Sequence, residues 1–531
     1  ESYSGLDKDY ATAWSYGKLE TFNLLFPNFF GGSSHTKLSD RSNVYLALRK
    51  NGVNKRDSQA FIKNVPLYWG PQSFTSGPVY IGSVVWLLFF IGLFTIKKPI
   101  KWLLCALLLF SLILAWGKHL PFITNLFLDH FPLYNKFRTV SMILIIVQFI
   151  VPFIGILGLY NFFLIKNLEK KDILIKSFTG LFVFSIFFYL FGTVLFDFKS
   201  SADSQFPSWF VDALMKDRIQ LFKNDILRSL FFIISSSALI FVFKNKTGNK
   251  WVYILALLLV LDMWFVNKRY LNNDDFVLKS SVEKPFQLQE YDKLIKSDTS
   301  IYRVYNLNER LDQGARTSYF HQSLGGYHGA KMGRYQEVID THLSKGNMNV
   351  INMLNTKYII SQEKNQPFVS QNPSALGNVW LIDSIIWVNN ANEELDALSD
   401  FEPASMAIIN KKYNNLITDP ILSNVNDSIE LVSYSPNKLI YNCNNKNNVL
   451  AVFSEIFYPK GWNVFINNKP IQHFNVNYIL RGMVIPPGQH EIVFEFTPKA
   501  FYYSARISLI CSILLLSLIP IVCFRLFYIK E

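Results

Sequence analysis

Charge is scarce in this chain: only 17% of its 531 residues are Asp, Glu, Lys or Arg, against 50% hydrophobic and 16% aromatic, with 48 Phe. That balance is wrong for a single soluble core and right for helices that face lipid. Cysteine is scarcer still. Of the 4 cysteines, Cys105, Cys511 and Cys523 fall in apolar runs and Cys443 in a polar one, with no CxxC pair, so neither a disulfide framework nor a zinc site is supported. A divalent metal stays open as a cofactor, without a motif to hold it. The formal charge of +13 does not point to nucleic acid as a partner, because the basic residues gather in short clusters beside apolar runs and not on an aromatic-rich basic face. Internal repeats and low-complexity segments are absent. The first residue is Glu1, and no charged leader with a short apolar stretch and small-residue cleavage site opens the chain. The expectation is a C-terminal fragment of a longer protein, with earlier spans upstream.

Long apolar runs are what the sequence has in plenty. Pro78–Ile96, Thr139–Ile165 and Ile507–Phe524 contain no charged residue, and about 20 apolar residues in a helix cross roughly 30 Å of hydrocarbon. A membrane-length window marks about seven spans, near 79–96, 101–116, 139–165, 173–196, 226–243, 249–266 and 503–526. Their connections sort by basic residues: Lys97, Lys98 and Lys101; Lys166, Lys170, Lys171 and Lys176; Lys244, Lys246 and Lys250; Arg525 and Lys530. These four groups alternate across the spans, and the positive-inside rule reads them as cytoplasmic. The segments 1–78, 117–138, 197–225 and 267–502 are then expected on the outer side of a multi-pass membrane protein.

The expected fold is a polytopic α-helical membrane protein with an extracytoplasmic α/β plus β-sandwich domain. Five parts follow: an outer loop segment (1–78), a membrane domain of about six helices (79–266), an α/β module (267–424), a β-sandwich (425–502) and a C-terminal transmembrane helix (503–526). In the α/β module, strand-like runs (Ile301–Tyr305, Lys357–Ser361, Val379–Val388) mix with helical ones (Tyr335–Leu343, Asn392–Leu398). In the sandwich, Leu439–Asn442, Val449–Phe453, Trp462–Ile466, Met483–Ile485 and Ile492–Phe496 are separated by turn residues such as Asn467-Asn468 and Pro486-Pro487-Gly488.

Two stretches carry candidate chemistry. In Phe131-Pro132-Leu133-Tyr134-Asn135-Lys136-Phe137-Arg138, cations stand at the outer end of a span, against the orientation rule. Lys136 and Arg138, with Tyr134, are candidates for an anion at the outer leaflet such as a lipid-linked phosphate, which Arg meets as a planar fork and Lys as a point charge. Snorkelling of long basic side chains is the competing account. In Thr317–Gln336, His321, Tyr327, His328, Lys331 and Arg334 sit among glycines, where backbone can approach a ligand and tyrosine can stack on a sugar. The competing account is an ordered packing loop. A metal at His321 and His328 lacks any carboxylate or cysteine at ligand spacing. The pair Asp7 and Asp9 reads as a solvated turn, and Asp262, near the outer end of the sixth span, is expected to pair with Lys268 and Arg269 or to reach interfacial water.

Several strings together resemble the bacterial YfhO-type membrane proteins in their Bacteroidetes form: Asp7-Lys8-Asp9-Tyr10 with Trp14-Ser15-Tyr16-Gly17, Pro66–Pro71, Tyr134–Arg138, Lys268–Asn272, Thr317–Gln336 and Phe453–Trp462. The resemblance implies a GT-C-like integral-membrane glycosyltransferase that takes a sugar from a polyprenyl-phosphate donor to an envelope glycan or polymer acceptor on the outer face. It also implies a catalytic acid in an early outer loop, expected upstream of Glu1, so no catalytic residue is carried over. Two other classes remain: a lipid-sugar transporter or flippase, against which stand the few charges in the spans and the lack of an inverted repeat, and a non-catalytic scaffold binding envelope polymers.

Overall fold

A computed structural model describes residues 6–244, 250–363, 366–417, 423–424 and 426–528; Lys246 and Lys530 of the basic clusters lie outside them. The chain divides into two compact units, Glu1–Val277 and Leu278–Glu531.

The first unit is helical. Its principal helices are α1 (Ser83–Thr95), α2 (Ile100–Ala115), α3 (Pro121–His130), α4 (Leu144–Leu164), α5 (Asn167–Leu195), α6 (Ser208–Phe243) and α7 (Lys250–Tyr270). Together with α9 of the second unit (Lys499–Tyr528), the helices around α4, α5, α6 and α7 make five that are long and apolar enough to cross a membrane, while α1 and α2 are shorter apolar helices. The run expected as a span over 79–96 becomes helical only at Ser83: Gly82, at φ 111°, turns the chain and leaves 13 helical residues, about 20 Å at 1.5 Å each. By contrast α6 has 36 residues, about 54 Å, so it runs well past a hydrocarbon core of about 30 Å. Its first half absorbs much of the stretch 197–225 that reads as a loop in the sequence.

Close packing of α1 on α4 rests on glycine. A Cβ on Gly158 would lie 2.3 Å from the Cα of Gly92, so only a residue without a side chain lets these backbones meet. Thr95 closes the same crossing, its Oγ1 donating to the Gly158 carbonyl at 3.1 Å. Phenylalanine supplies the rest of the core. The Phe29 ring lies 5.0 Å from both Phe188 and Phe222 and 5.3 Å from Phe22, mostly edge to face, which anchors the segment before α1 onto α5 and α6.

The second unit holds fourteen strands among the described residues: β1 (Arg303–Asn306), β2 (Thr356–Glu363), β3 (Gln366–Gln371), β4 (Val379–Ile382), β5 (Ser384–Val388), β6 (Met406–Asn410), β7 (Ser428–Ser435), β8 (Lys438–Asn445), β9 (Val449–Ile456), β10 (Trp462–Ile466), β11 (Lys469–Ile471), β12 (Phe474–Val476), β13 (Leu480–Ile485) and β14 (Gly488–Phe496). They form sheets in the orders β1-β2-β3, β5-β6, β11-β10-β14-β8-β7 and β12-β13-β9-β4. The last two share a core of Leu439, Tyr441, Phe453, Val464, Met483, Ile492 and Phe494. Alternation explains it: in β8, Leu439, Tyr441 and Cys443 are buried while Lys438, Asn442 and Asn444 are exposed. The run Val379–Val388 divides at Asp383, because the Asp383 and Ser384 amides both donate to the Ser405 carbonyl, sending β4 to pair with β9 and β5 with β6. Asn467 and Asn468, at φ 46° and 65°, make the β10–β11 hairpin turn, as their positive φ requires. Helix α8 (Gly333–Thr341) packs Val338 and Ile339 into the core shared with β5, β6 and β12.

Candidate functional site

Burying a charge within a helical membrane unit is costly unless it is paired, and the first unit concentrates several. Asp262 of α7 is wholly buried. Its Oδ2 accepts from the Ser83 amide at 2.7 Å and the Val84 amide at 3.3 Å, and its Oδ1 accepts from the Tyr80 hydroxyl at 2.6 Å and from Arg228 of α6. Gly82, which precedes α1, has no side chain to cap that helix, so a carboxylate from α7 satisfies the free amides at its positive end. This corrects the expected pairing with Lys268 and Arg269. Arg269 instead makes a fork on Asp225, Nη1 to Oδ2 at 2.9 Å and Nη2 to Oδ1 at 2.7 Å, and Lys268 lies over the Trp264 ring at 5.2 Å. Asp225 also meets Arg228 at 3.2 Å and accepts from the Asn28 amide at 2.9 Å. Two acids and two arginines thus tie α1, α6, α7 and the opening segment together at one end of the bundle.

A second buried arginine is saturated in the same way. Arg218 donates to the carbonyls of Leu67 at 3.0 Å, Phe198 at 2.8 Å and Pro66 at 2.9 Å, and forks onto Asp203 at 2.6 and 2.9 Å. These contacts fix the Pro66–Pro71 segment against α6.

Two cavities open beside this network. One of about 190 Å³ is lined by Tyr16, Glu20, Asn23, Tyr68, Gln72 and Ser141. Glu20 is 1% exposed and accepts from the Tyr68 hydroxyl at 2.6 Å, the Gly17 amide at 2.7 Å and Gln72 Nε2 at 3.1 Å. Burial pushes its carboxyl up from the ordinary range, against the lowering effect of those donors, so it is a group able to hold or release a proton within a cavity. The other cavity, about 1070 Å³, brings His35, Lys37, Lys63 and Arg269 together with Asp225 and Asp274. Among the described residues no group of three or more His, Cys, Asp or Glu could hold a metal ion.

The sequence candidates divide between the two units. Arg138 joins two of the strings singled out in the sequence: its Nη1 donates to the Tyr10 hydroxyl at 2.6 Å, and its guanidinium lies 4.9 Å from the Tyr10 ring and 4.3 Å from the Trp14 ring. Tyr134 is half-buried against Phe127 at 5.5 Å, and Lys136 is exposed at the end of the same short turn. Around them Phe131, Leu133 and Phe137 are 57%, 68% and 70% exposed. In the second unit, His321 is turned inward, its Nε2 2.9 Å from Asp292 Oδ1, on an acid that also holds Arg316. Arg334 is likewise engaged, its Nη1 donating to Asn475 Oδ1 and the Tyr478 carbonyl, both at 2.9 Å. Tyr327 is 76% exposed, His328 Nδ1 accepts from the Ala330 amide at 3.0 Å, and Lys331 donates to Gln336 at 3.2 Å. The geometry therefore splits this loop into two residues that hold it in place, two that face outward, Tyr327 and His328, and a half-buried Lys331.

Glu20, Asp203, Arg218, Asp225 and Arg228 escaped the sequence reading. A usable signal exists for α6: its buried residues Ala213, Leu214, Asp217, Arg218, Phe222, Asp225, Ile226 and Ser229 recur at helical spacing, so these charges lie on the apolar stripe and not in a loop.

Residues 404–508 match the family model described as bacterial membrane protein YfhO. The matched stretch runs from just before β6 to the first turns of α9. Comparison with curated proteins and with solved structures gives no match.

Proposed function

We propose that this chain, a YfhO-type membrane protein, moves a sugar from a polyprenyl-phosphate donor to a cell-envelope glycan or polymer on the outer face of the bacterial cytoplasmic membrane, in the manner of a GT-C glycosyltransferase. One observation carries the reading: Lys136 and Arg138 stand among Phe131, Leu133 and Phe137, each exposed by more than half. A ligand matching that surface has an apolar tail and an anionic head, which is the make-up of a lipid phosphate. Arg138 is pre-positioned by Tyr10 and Trp14, so less side-chain freedom is lost when an anion meets it. In this scheme Tyr134, Lys136 and Arg138 serve the phosphate, where charge grows as the leaving group departs. Tyr327 and His328, exposed, and the half-buried Lys331 are offered to saccharide, while His321 and Arg334 keep the loop in place.

The test is sugar transfer by the complete protein in vesicles, from a labelled polyprenyl-phosphate sugar, after Lys136→Ala and Arg138→Ala together. Charge-assisted hydrogen bonds are worth roughly 1.5–3 kcal/mol each, so a loss of about a hundredfold or more is expected. Transfer at the unchanged rate would remove the phosphate assignment. Movement of labelled lipid-sugar across the bilayer without any acceptor would replace transfer by transport.

A further inference from the structure

We infer that the second unit carries a binding groove for an acidic saccharide, formed by β10, β11 and the turn after β6. This inference does not depend on the chain transferring sugar. The groove has a volume of about 900 Å³, within the range of about 300–1,000 Å³ usual for ligand pockets. Tyr413, Phe457, Trp462, Phe465 and Tyr478 line it, together with Asn463, Gln472 and Asn475. A lining that combines aromatic residues with amides suits a ligand that has apolar C–H faces and hydroxyl edges, as a sugar ring does. A purely apolar ligand would cover the exposed Gln472 amide without offering it a partner.

Charge narrows the class. Arg334 and Lys412 line the groove, and Asp and Glu are absent from its lining. Arg334 is held in place through one nitrogen: Nη1 takes Asn475 and the Tyr478 carbonyl at 2.9 Å and Glu394 at 3.3 Å. Its guanidinium stacks on the Tyr478 ring at 4.5 Å. Among the described residues Nε and Nη2 make no hydrogen bond, which leaves one edge of a pre-positioned fork for a carboxylate. Glu394, 1% exposed in its side chain, meets the Nη1 side of the guanidinium and leaves the Nε–Nη2 edge open. A second group supports a ligand here. His473 lines the groove, its ring 5.4 Å from Phe457, and its buried Nε2 has no hydrogen-bond partner among the described residues. Burial and the nearby Arg481 hold this imidazole down at about 4, so it is neutral at physiological pH and can accept from or donate to a hydroxyl.

The experiment is calorimetric titration of the full chain in lipid nanodiscs with a tetrasaccharide of galacturonic acid. Saturable binding is expected, at least tenfold tighter than binding of maltotetraose, and weakened at least tenfold by Lys412→Glu and by Phe465→Ala, with the unfolding midpoint of each variant unchanged. Lys412 and Asn463 are both exposed, so a Lys412→Glu, Asn463→Asp pair provides a second variant that keeps the core intact. Maltotetraose binding as tightly as the acidic sugar would overturn the charge assignment. A tetraglutamate peptide or an oligonucleotide of equal charge binding as tightly would overturn the saccharide assignment. The absence of saturable binding by the galacturonate at millimolar concentration would overturn the site itself.

Discussion

Removing the carboxylate of Asp262 is the sharpest perturbation of the membrane unit. Asp262→Ala takes away the acceptor of the Ser83 and Val84 amides, a loss of about 1 kcal/mol by analogy with side-chain caps. It also strips Arg228 of one of its two acidic partners. Breaking a buried pair costs about 3–5 kcal/mol when a charge is left alone, and Arg228 keeps Asp225 at 3.2 Å, which puts the loss at the low end of that range. The sum is about 4 kcal/mol, close to three decades in the unfolding equilibrium constant. Reversible unfolding of the purified chain in bicelles, followed by steric trapping, measures it. Asp262→Leu combined with Arg228→Leu removes both charges and should be less destabilising than the sum of the two single changes by at least about 1.5 kcal/mol. Strict additivity, or a single substitution within 1 kcal/mol of the parent by this cap-and-pair reasoning, would refute the view that Asp262 links α1 to α6.

Other outcomes follow from the same geometry. Gly158→Ala places a Cβ against Gly92 and should cost about 1–3 kcal/mol through overpacking, while Gly158→Leu should prevent α1 from packing on α4; thermal unfolding in detergent reads both. Arg218→Met leaves Asp203 without its cation and the Leu67, Phe198 and Pro66 carbonyls without that donor and should destabilise by about 3–5 kcal/mol. Glu20, with its pKa raised by burial, keeps its proton in the folded chain at pH values where the unfolded chain, near 4.3, has released it. Stability from this group is therefore full below that value and falls as pH rises through the raised one, and Glu20→Gln should flatten the decline. His473, lowered to about 4, acts in the opposite sense: unfolded imidazole near 6.5 takes up a proton first, so stability is lost as pH falls from there toward 4, and His473→Phe should flatten that acid limb in a pH series of unfolding midpoints.

Particular stretches separate what local pattern can say from what it cannot. Trp462–Ile466 reads as a strand and is β10, because its alternation is set by the residues themselves and its ends by Gly461 and Asn467-Asn468. The run over 139–165 reads as a span and holds α4 with its preceding turn, since an uncharged stretch of that length has one stable place. The run Val379–Val388 reads as one strand yet serves two sheets, because the break depends on Ser405, a residue distant in sequence. His321 reads as a ligand-facing residue but is spent on Asp292, and no local spacing announces a partner 29 positions away.

By itself, then, the sequence determined the class: apolar runs without charge commit helices to lipid, and period-two runs between turns commit the C-terminal part to sheets, since both depend on neighbours a few residues apart. Tertiary structure alone decided which charges meet. Arg228 found Asp262, Arg269 found Asp225 and Arg218 found Asp203 because a buried charge must be neutralised by whatever acid the packing brings within about 3 Å, and that distance is fixed by helix crossings, not by order along the chain.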